Sequence, residues 1–245
     1  MTLISLLLLG LLALLAGVVQ STLGFGFGIV FLALGALFVD AKLVSMVSVF
    51  ASVVINFTLL SQLYRHINLS RLWLVLLVLL LMVPVGVVFL QQSTLASFSL
   101  LLGLLVSWSA LQQLWPKLNF TGLPHFYLGV PMAALSGLLT GAFNTGGPPL
   151  VVYMQSQAVS RLQQIASLQL LLLSGSLLRL EELWRQDLLS IELLQPVWVC
   201  CIACVIGSQL GLRLGQSFSE QLFKKVVAGF LLILGGFYIS QWMLQ

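Results

Sequence analysis

The chain has 245 residues, of which 60% are hydrophobic and only 7% charged. A soluble domain carries roughly 25% charged residues, so this composition excludes one and marks an integral membrane protein. The formal net charge is +4, and the ten Lys and Arg fall almost entirely between apolar runs, where they read as topology markers and not as a nucleic-acid surface.

The apolar start, residues 3–19, has no basic leader and no small-residue cleavage site, so a structural helix is predicted there and not a signal peptide. The stretch LGFGFGIVFLALGALFVD follows, with Gly24, Gly26 and Gly28 at two-residue spacing. The apolar segment behind it, residues 27–39, would be about 20 Å long as a helix, too short for a hydrocarbon core of about 30 Å. Asp40 and Lys42 mark a return to a polar boundary. The next span, residues 43–63, carries Ser48, Ser52 and Asn56 on one face, and polar groups of this kind belong in the interior or along a polar pathway. Arg65, His66 and Arg71 precede two further spans, residues 72–90 and 98–115.

The second half repeats the plan. After Lys117 and His125 comes a span at residues 126–143, then the stretch NTGGPP, Asn144 to Pro149, and another apolar segment. Residues 162–178 form a span with Gln169 and Ser176 inside it. The densest charge run, EELWRQD from Glu181 to Asp187, is expected as a solvated loop with local ion pairs. Spans at residues 193–212 and 226–244 complete the series. Cys200, Cys201 and Cys204 share one span, Cys200 and Cys204 on one helical face, and are expected to pack as small hydrophobes. The tryptophans mostly flank spans and read as interfacial anchors.

An offset of 120 lays Gly24, Gly26, Phe27 and Gly28 on Asn144, Gly146, Gly147 and Pro148, and pairs Val39 with Val159, Arg65 with Arg185 and Ser70 with Ser190. One further residue pairs Gly86 with Gly207. These matches argue for a duplication, with residues 1–120 and 121–245 as two repeats of a single membrane domain. If each short segment and its predecessor form a hairpin that enters and returns, the basic residues divide seven (Arg65, Arg71, Lys117, Arg161, Arg213, Lys224, Lys225) against three (Lys42, Arg179, Arg185). A single crossing divides them evenly. The positive-inside rule therefore selects the hairpin, with both termini outside the cytoplasm and the two repeats inverted, a recurrent plan of transporters. The predicted fold class is an all-α membrane protein of two inverted repeats, each a glycine-broken helical hairpin plus three further transmembrane helices.

A helix broken inside a membrane survives only where protein or a cavity satisfies its freed backbone groups. Pro148 and Pro149 suit a first helical turn, whose N–H groups and dipole favour an anion. The predicted substrate site is Gly24, Phe25, Gly26, Phe27 and Gly28, with Asn144, Thr145, Gly146, Gly147 and Pro148, joined by Ser48, Ser52, Asn56 and Gln169. The bland reading of each glycine is close packing of helices. No acidic residue stands at the centre of a span, so the usual coupling carboxylate is missing.

GFGFGIVFLAL and GAFNTGGPPLVVYM, one per half, resemble the two glycine-rich signatures of the sulfite exporter TauE/SafE family, also called the 4-toluene sulfonate uptake permeases. Members carry a fuller glycine triplet in both halves; here Phe27 interrupts the first, and Asn144, Thr145 and Pro148 alter the second. The resemblance implies transport of sulfite, sulfoacetate or other organosulfonates across the bacterial inner membrane. With no coupling carboxylate, uniport or weakly coupled transport is expected, and because an inside-negative potential drives anions outward, the expectation is an exporter working by alternating access around paired midplane breaks. It involves no catalytic residue, no metal and no cofactor. The expected partners are a small anionic substrate and the lipid bilayer, with a second copy of the chain as candidate partner and no nucleic acid. The alternative is a polytopic membrane enzyme acting on thiols or lipid phosphates, built from the cysteines, Arg65 and Arg185.

Overall fold

The computed structural model describes residues 2–92, 95–114, 125–157, 159–214 and 220–243. Among them are ten α-helices and no strand. Helix α1 (Leu3–Leu23) starts on Thr2, whose hydroxyl accepts the Ser5 N–H, and α2 (Phe27–Gly35) follows after three residues. Helix α3 (Ala41–Leu63) is capped by Asp40, which accepts the Leu43 N–H at 2.9 Å. Thus Asp40 opens α3 for a local reason, its carboxylate satisfying an orphan donor at a helix start, whereas α2 ends at Gly35, short of the expected residue 39. A 3₁₀ turn (Tyr64–His66) leads to α4 (Leu69–Gln92) and α5 (Leu95–Leu114). Then come α6 (His125–Phe143), α7 (Gly147–Ser156) and α8 (Arg161–Arg185), the last opened by a capping box of Ser160 and Gln163. A second 3₁₀ turn (Ile191–Leu193), α9 (Leu194–Leu214) and α10 (Glu220–Met243) finish the chain.

Four segments among the described residues are long and apolar enough to cross a membrane: Leu3–Leu23, Ala41–His66, Leu72–Gln92 and Ile191–Arg213. Shorter apolar stretches run over Leu100–Leu111, Tyr127–Phe143 and Lys225–Ser240. The layering follows from composition. Leu3, Leu7 and Leu11 of α1, Trp73, Leu77 and Leu81 of α4, and Trp198, Ile202 and Ile206 of α9 turn outward, an apolar exterior suited to lipid and not to water. The short helices occupy the interior, and every residue of α2 except Leu34 is buried.

Helices pair closely where small residues let backbones meet. The most extensive pairings are α1 with α9, α4 with α6, α5 with α10 and α3 with α8. A Cβ on Gly207 of α9 would stand 2.1 Å from the Leu14 carbonyl oxygen of α1, and one on Gly86 of α4 would stand 2.2 Å from that of Leu138 on α6. At these positions the close-packing role of glycine accounts for the residue. Cys204 lies in the same seam, buried against Gly17, and Cys200 is buried too.

Two expectations are corrected. The charge run from Glu181 is not a loop: α8 continues to Arg185, whose Nη2 meets the Glu181 carboxylate at 2.6 Å and whose Nη1 lies 3.8 Å from Glu182. Carboxylates three and four residues before an arginine share its helical face, so the run supports the helix instead of ending it. Arg179, counted as a boundary charge, is fully buried within α8. Trp115 and Lys117 lie outside the described residues.

Candidate functional site

Each glycine-rich stretch is where one helix stops and a short one starts. Helix α1 ends at Gly24, at φ 84°, with its N–H on the Gln20 carbonyl at 2.8 Å, and Gly26 has φ 112°. Both lie in the left-handed region that favours glycine. At the corresponding position after α6 stands Asn144, at φ 59°, a residue type that tolerates this conformation better than most. Helix α2 has no side-chain cap at Gly26; instead Gln20, reaching from α1, accepts the Phe27 N–H at 2.9 Å.

The two breaks touch. A Cβ on Gly28 would fall 2.0 Å from the Asn144 carbonyl oxygen, so the first turn of α2 lies backbone to backbone against the link before α7. Phe25 packs on Gly147 across the same junction, where an added Cβ would stand 3.2 Å from the Phe25 Cβ. Phe27 stacks on Phe31 at 5.4 Å and closes the apolar side.

Between the breaks is a cavity of about 20 Å³, measured as the space open to the centres of water molecules, enough for at least one. From the first break it is lined by Gln20, Gly26, Phe27, Gly28 and Ile29, and from the second by Thr140, Asn144, Thr145, Gly146 and Gly147. Ser52 and Asn56 of α3 and Leu172 and Ser176 of α8 complete the wall. Of the expected site residues, Gly24, Phe25, Pro148, Ser48 and Gln169 stand behind this lining. Gln169 donates to the Gly24 carbonyl at 2.7 Å, fixing the end of α1. Ser48 helps hold Asn144.

The amides of the site are already occupied. Asn144 Nδ2 donates to Ser48 Oγ at 3.1 Å and Ser52 Oγ at 2.7 Å, while its Oδ1 accepts from Ser176 Oγ at 3.3 Å. Gln20 Nε2 donates to Asn56 Oδ1 at 2.8 Å and Gln169 Oε1 at 3.3 Å. Two hydroxyls are not: Thr140 Oγ1 and Thr145 Oγ1 are buried with no hydrogen-bond partner. The first turn of α2 adds N–H groups at Gly28 and Ile29 that no turn of the same helix satisfies. Helix α7 contributes fewer, because Pro148 and Pro149 have no N–H.

The site thus offers neutral donors converging on a small space, which suits an anion. The chain matches the model of the family described as sulfite exporter TauE/SafE over residues 9–238. It belongs to the sulfite exporter TauE/SafE family. No curated protein and no solved structure matches it. TauE/SafE proteins are membrane transporters and not enzymes, so a polytopic enzyme built on Arg65, Arg185 and the cysteines is set aside. In this TauE/SafE chain Arg65 is an exposed residue beside Tyr64, and the cysteines belong to the α9 packing seam.

Gln20 and Thr140 were missed by the sequence reading. Each is a polar residue four positions before the left-handed residue that ends its helix, and the offset of 120 pairs them. Superposing the halves one turn earlier would have found both. The burial of Arg179 is not legible in the sequence, where a basic residue in a membrane chain reads as an interface marker.

Proposed function

We propose that this chain exports small oxyanions, sulfite first among them, across the bacterial inner membrane, by alternating access around the cavity between Gly28 and Thr145. The observation that carries the proposal is the pair of buried hydroxyls, on Thr140 and Thr145, that have no partner and line the cavity beside the α2 N-terminus. An unsatisfied buried donor is costly, and the oxygens of an anion would satisfy both. In this reading Asn144, Gln20, Gln169 and Ser48 fix the frame, and Thr140, Thr145, Gly28 and Ile29 meet the substrate. The small volume favours sulfite over the longer sulfoacetate and other organosulfonates, which require the breaks to part.

The architecture proposed for the movement is two inverted repeats, residues 1–120 and 121–245, each contributing a glycine-broken hairpin. The helix pairings support it. Exchanging the halves turns α1 with α9 into α6 with α4, and returns α5 with α10 and α3 with α8 to themselves. That is the pattern expected of two repeats that rock about a shared centre. An inside-negative potential drives an anion outward by about 2.3 kcal/mol per charge per 100 mV, which makes export the downhill direction. A homodimer in the bilayer is the proposed assembly.

The deciding experiment loads proteoliposomes containing the full chain with sulfite, and in parallel with sulfoacetate, and follows efflux under an imposed inside-negative potential. Saturable sulfite efflux, faster than that of sulfoacetate, is the expected result. Efflux equal to that of empty liposomes for both anions would refute the proposal.

A further inference from the structure

Arg179 comes first by size among the wholly buried side chains of the described residues. It stands on α8 three residues beyond Ser176, on the same helical face. Its Nη2 donates to Ser45 Oγ at 2.6 Å and to the Ala142 carbonyl oxygen, near the end of α6, at 3.4 Å. Nε and Nη1 are buried without a partner. The ion pairs of α8 join Arg185 to Glu181 and Glu182, and Arg179 takes no part in them. A guanidinium keeps its charge in a protein, and a buried charge without a partner is strongly unfavourable. Sealing the end of α6 would employ Nη2 alone and leaves the other two nitrogens unexplained.

The surroundings give those nitrogens a use. Ser45, Ser48, Ser52 and Asn56 recur along α3 at helical spacing, all buried. Ser52 and Asn56 line the cavity, Ser48 Oγ donates to the Ser45 carbonyl, and Ser45 holds Arg179. This polar seam between α3 and α8 leads from the cavity toward the end of the molecule where Asp40 caps α3. Ser52 and Ser45 are about 10 Å apart along the helix. The seam is one-sided: the offset of 120 pairs Arg179 with Leu59, also buried, which lies on the other side of the cavity along α3.

Building on the transport reading above, we infer that Arg179 forms a second anion subsite, which receives the oxyanion from the cavity through its free Nε or Nη1 at the Ser45 end of the α3–α8 seam. Nε–H and the Nη1 N–H groups point to different edges of the guanidinium, and Nη2, which would complete a fork with either, is engaged. Each free nitrogen therefore offers a separate charge-assisted hydrogen bond to one oxygen of an anion such as sulfite, a sulfonate or a carboxylate. The cavity holds the substrate by neutral donors, the arginine draws it along the path, and the asymmetry between Arg179 and Leu59 gives the two half-paths different affinities.

The test measures initial rates of sulfite efflux against internal sulfite in proteoliposomes of the wild type, Arg179→Gln and Arg179→Lys, at matched protein content, with melting temperatures taken in detergent. Arg179→Gln should raise KM for sulfite at least tenfold, and Arg179→Lys, which keeps charge but loses the planar donors at Nε and Nη1, at least threefold. Sulfate should inhibit the wild type more strongly than chloride at equal concentration, and Arg179→Gln should lose that preference. A purely structural arginine would lower protein yield and melting temperature while leaving KM and the preference unchanged. Wild-type KM in Arg179→Lys overturns the subsite, and this variant decides the matter if Arg179→Gln fails to insert. Wild-type liposomes that move no sulfite would instead strike the transport reading on which the subsite rests.

Discussion

Thr140 and Thr145 differ from the other polar residues of the site in having nothing to hold. Replacing either by Val, a side chain of nearly the same shape, removes a buried hydroxyl that has no hydrogen-bond partner, so melting temperature should stay level or rise slightly. Anion binding should weaken by what a hydrogen bond to a charged group contributes, about 1.5–3 kcal/mol or roughly tenfold to a hundredfold in KM. Sulfite flux together with thermal melting checks both halves of this expectation; a wild-type KM in both variants would remove the hydroxyls from the site. Asn144→Ala should behave in the opposite way. It strips partners from Ser48, Ser52 and Ser176 and replaces a tolerant residue at φ 59°, so the expected result is a lower melting temperature before any change in affinity. Gly28→Ala forces the two breaks apart, since its Cβ would meet the Asn144 carbonyl at 2.0 Å, and should abolish flux. Gly236, where an added Cβ meets nothing within 4 Å, is the matched control.

At the scale of elements, the α1–α9 seam is packing and the α1–α2 junction is not. Gly207→Val would drive a branched side chain into the Leu14 carbonyl, and the expected outcome is loss of membrane abundance, read by immunoblot. Replacing Cys200, Cys201 and Cys204 together by Ala should leave substantial sulfite flux, because these thiols fill a seam and face no polar cluster. Abolished flux in a normally abundant triple variant would give them a chemical role. Much of this arrangement was legible beforehand. Glycines at two-residue spacing, and the charged pair Asp40 and Lys42 behind a short apolar segment, both announce an interruption in local terms. The hydrogen-bonded frame was only half legible: Ser48, Ser52, Asn56 and Gln169 stood out as polar residues inside spans, whereas Gln20 and Thr140, each one turn before a helix break, gain meaning only when the halves are superposed. Arg179 was illegible for a physical reason. Charge is expected to leave an apolar layer, and what keeps this one inside is Ser45, more than a hundred residues away in sequence, together with a carbonyl near the end of α6.

For the whole molecule, the burial of Arg179 sharpens the charge argument for sidedness. A guanidinium held in the interior does not act as a basic loop does, so it drops out of the count and leaves Lys42 and Arg185 against the seven basic residues that the hairpin reading assigns to the opposite face. By the positive-inside rule that distribution supports the proposed hairpins, in which each short helix returns to the side from which its predecessor entered. A reporter active only outside the cytoplasm should therefore be active when fused after Gln245 and silent when inserted beside Lys117. Both fusions can be compared in the same cells at matched expression. If both prove cytoplasmic, α2 and α7 do not return as hairpins, the halves do not run in opposite directions, and the cavity between Gly28 and Thr145 loses its place at the centre of an alternating path. If the expected pattern holds, the Ser45 end of the α3–α8 seam faces outward, and the anion meets Arg179 on the way out of the cell.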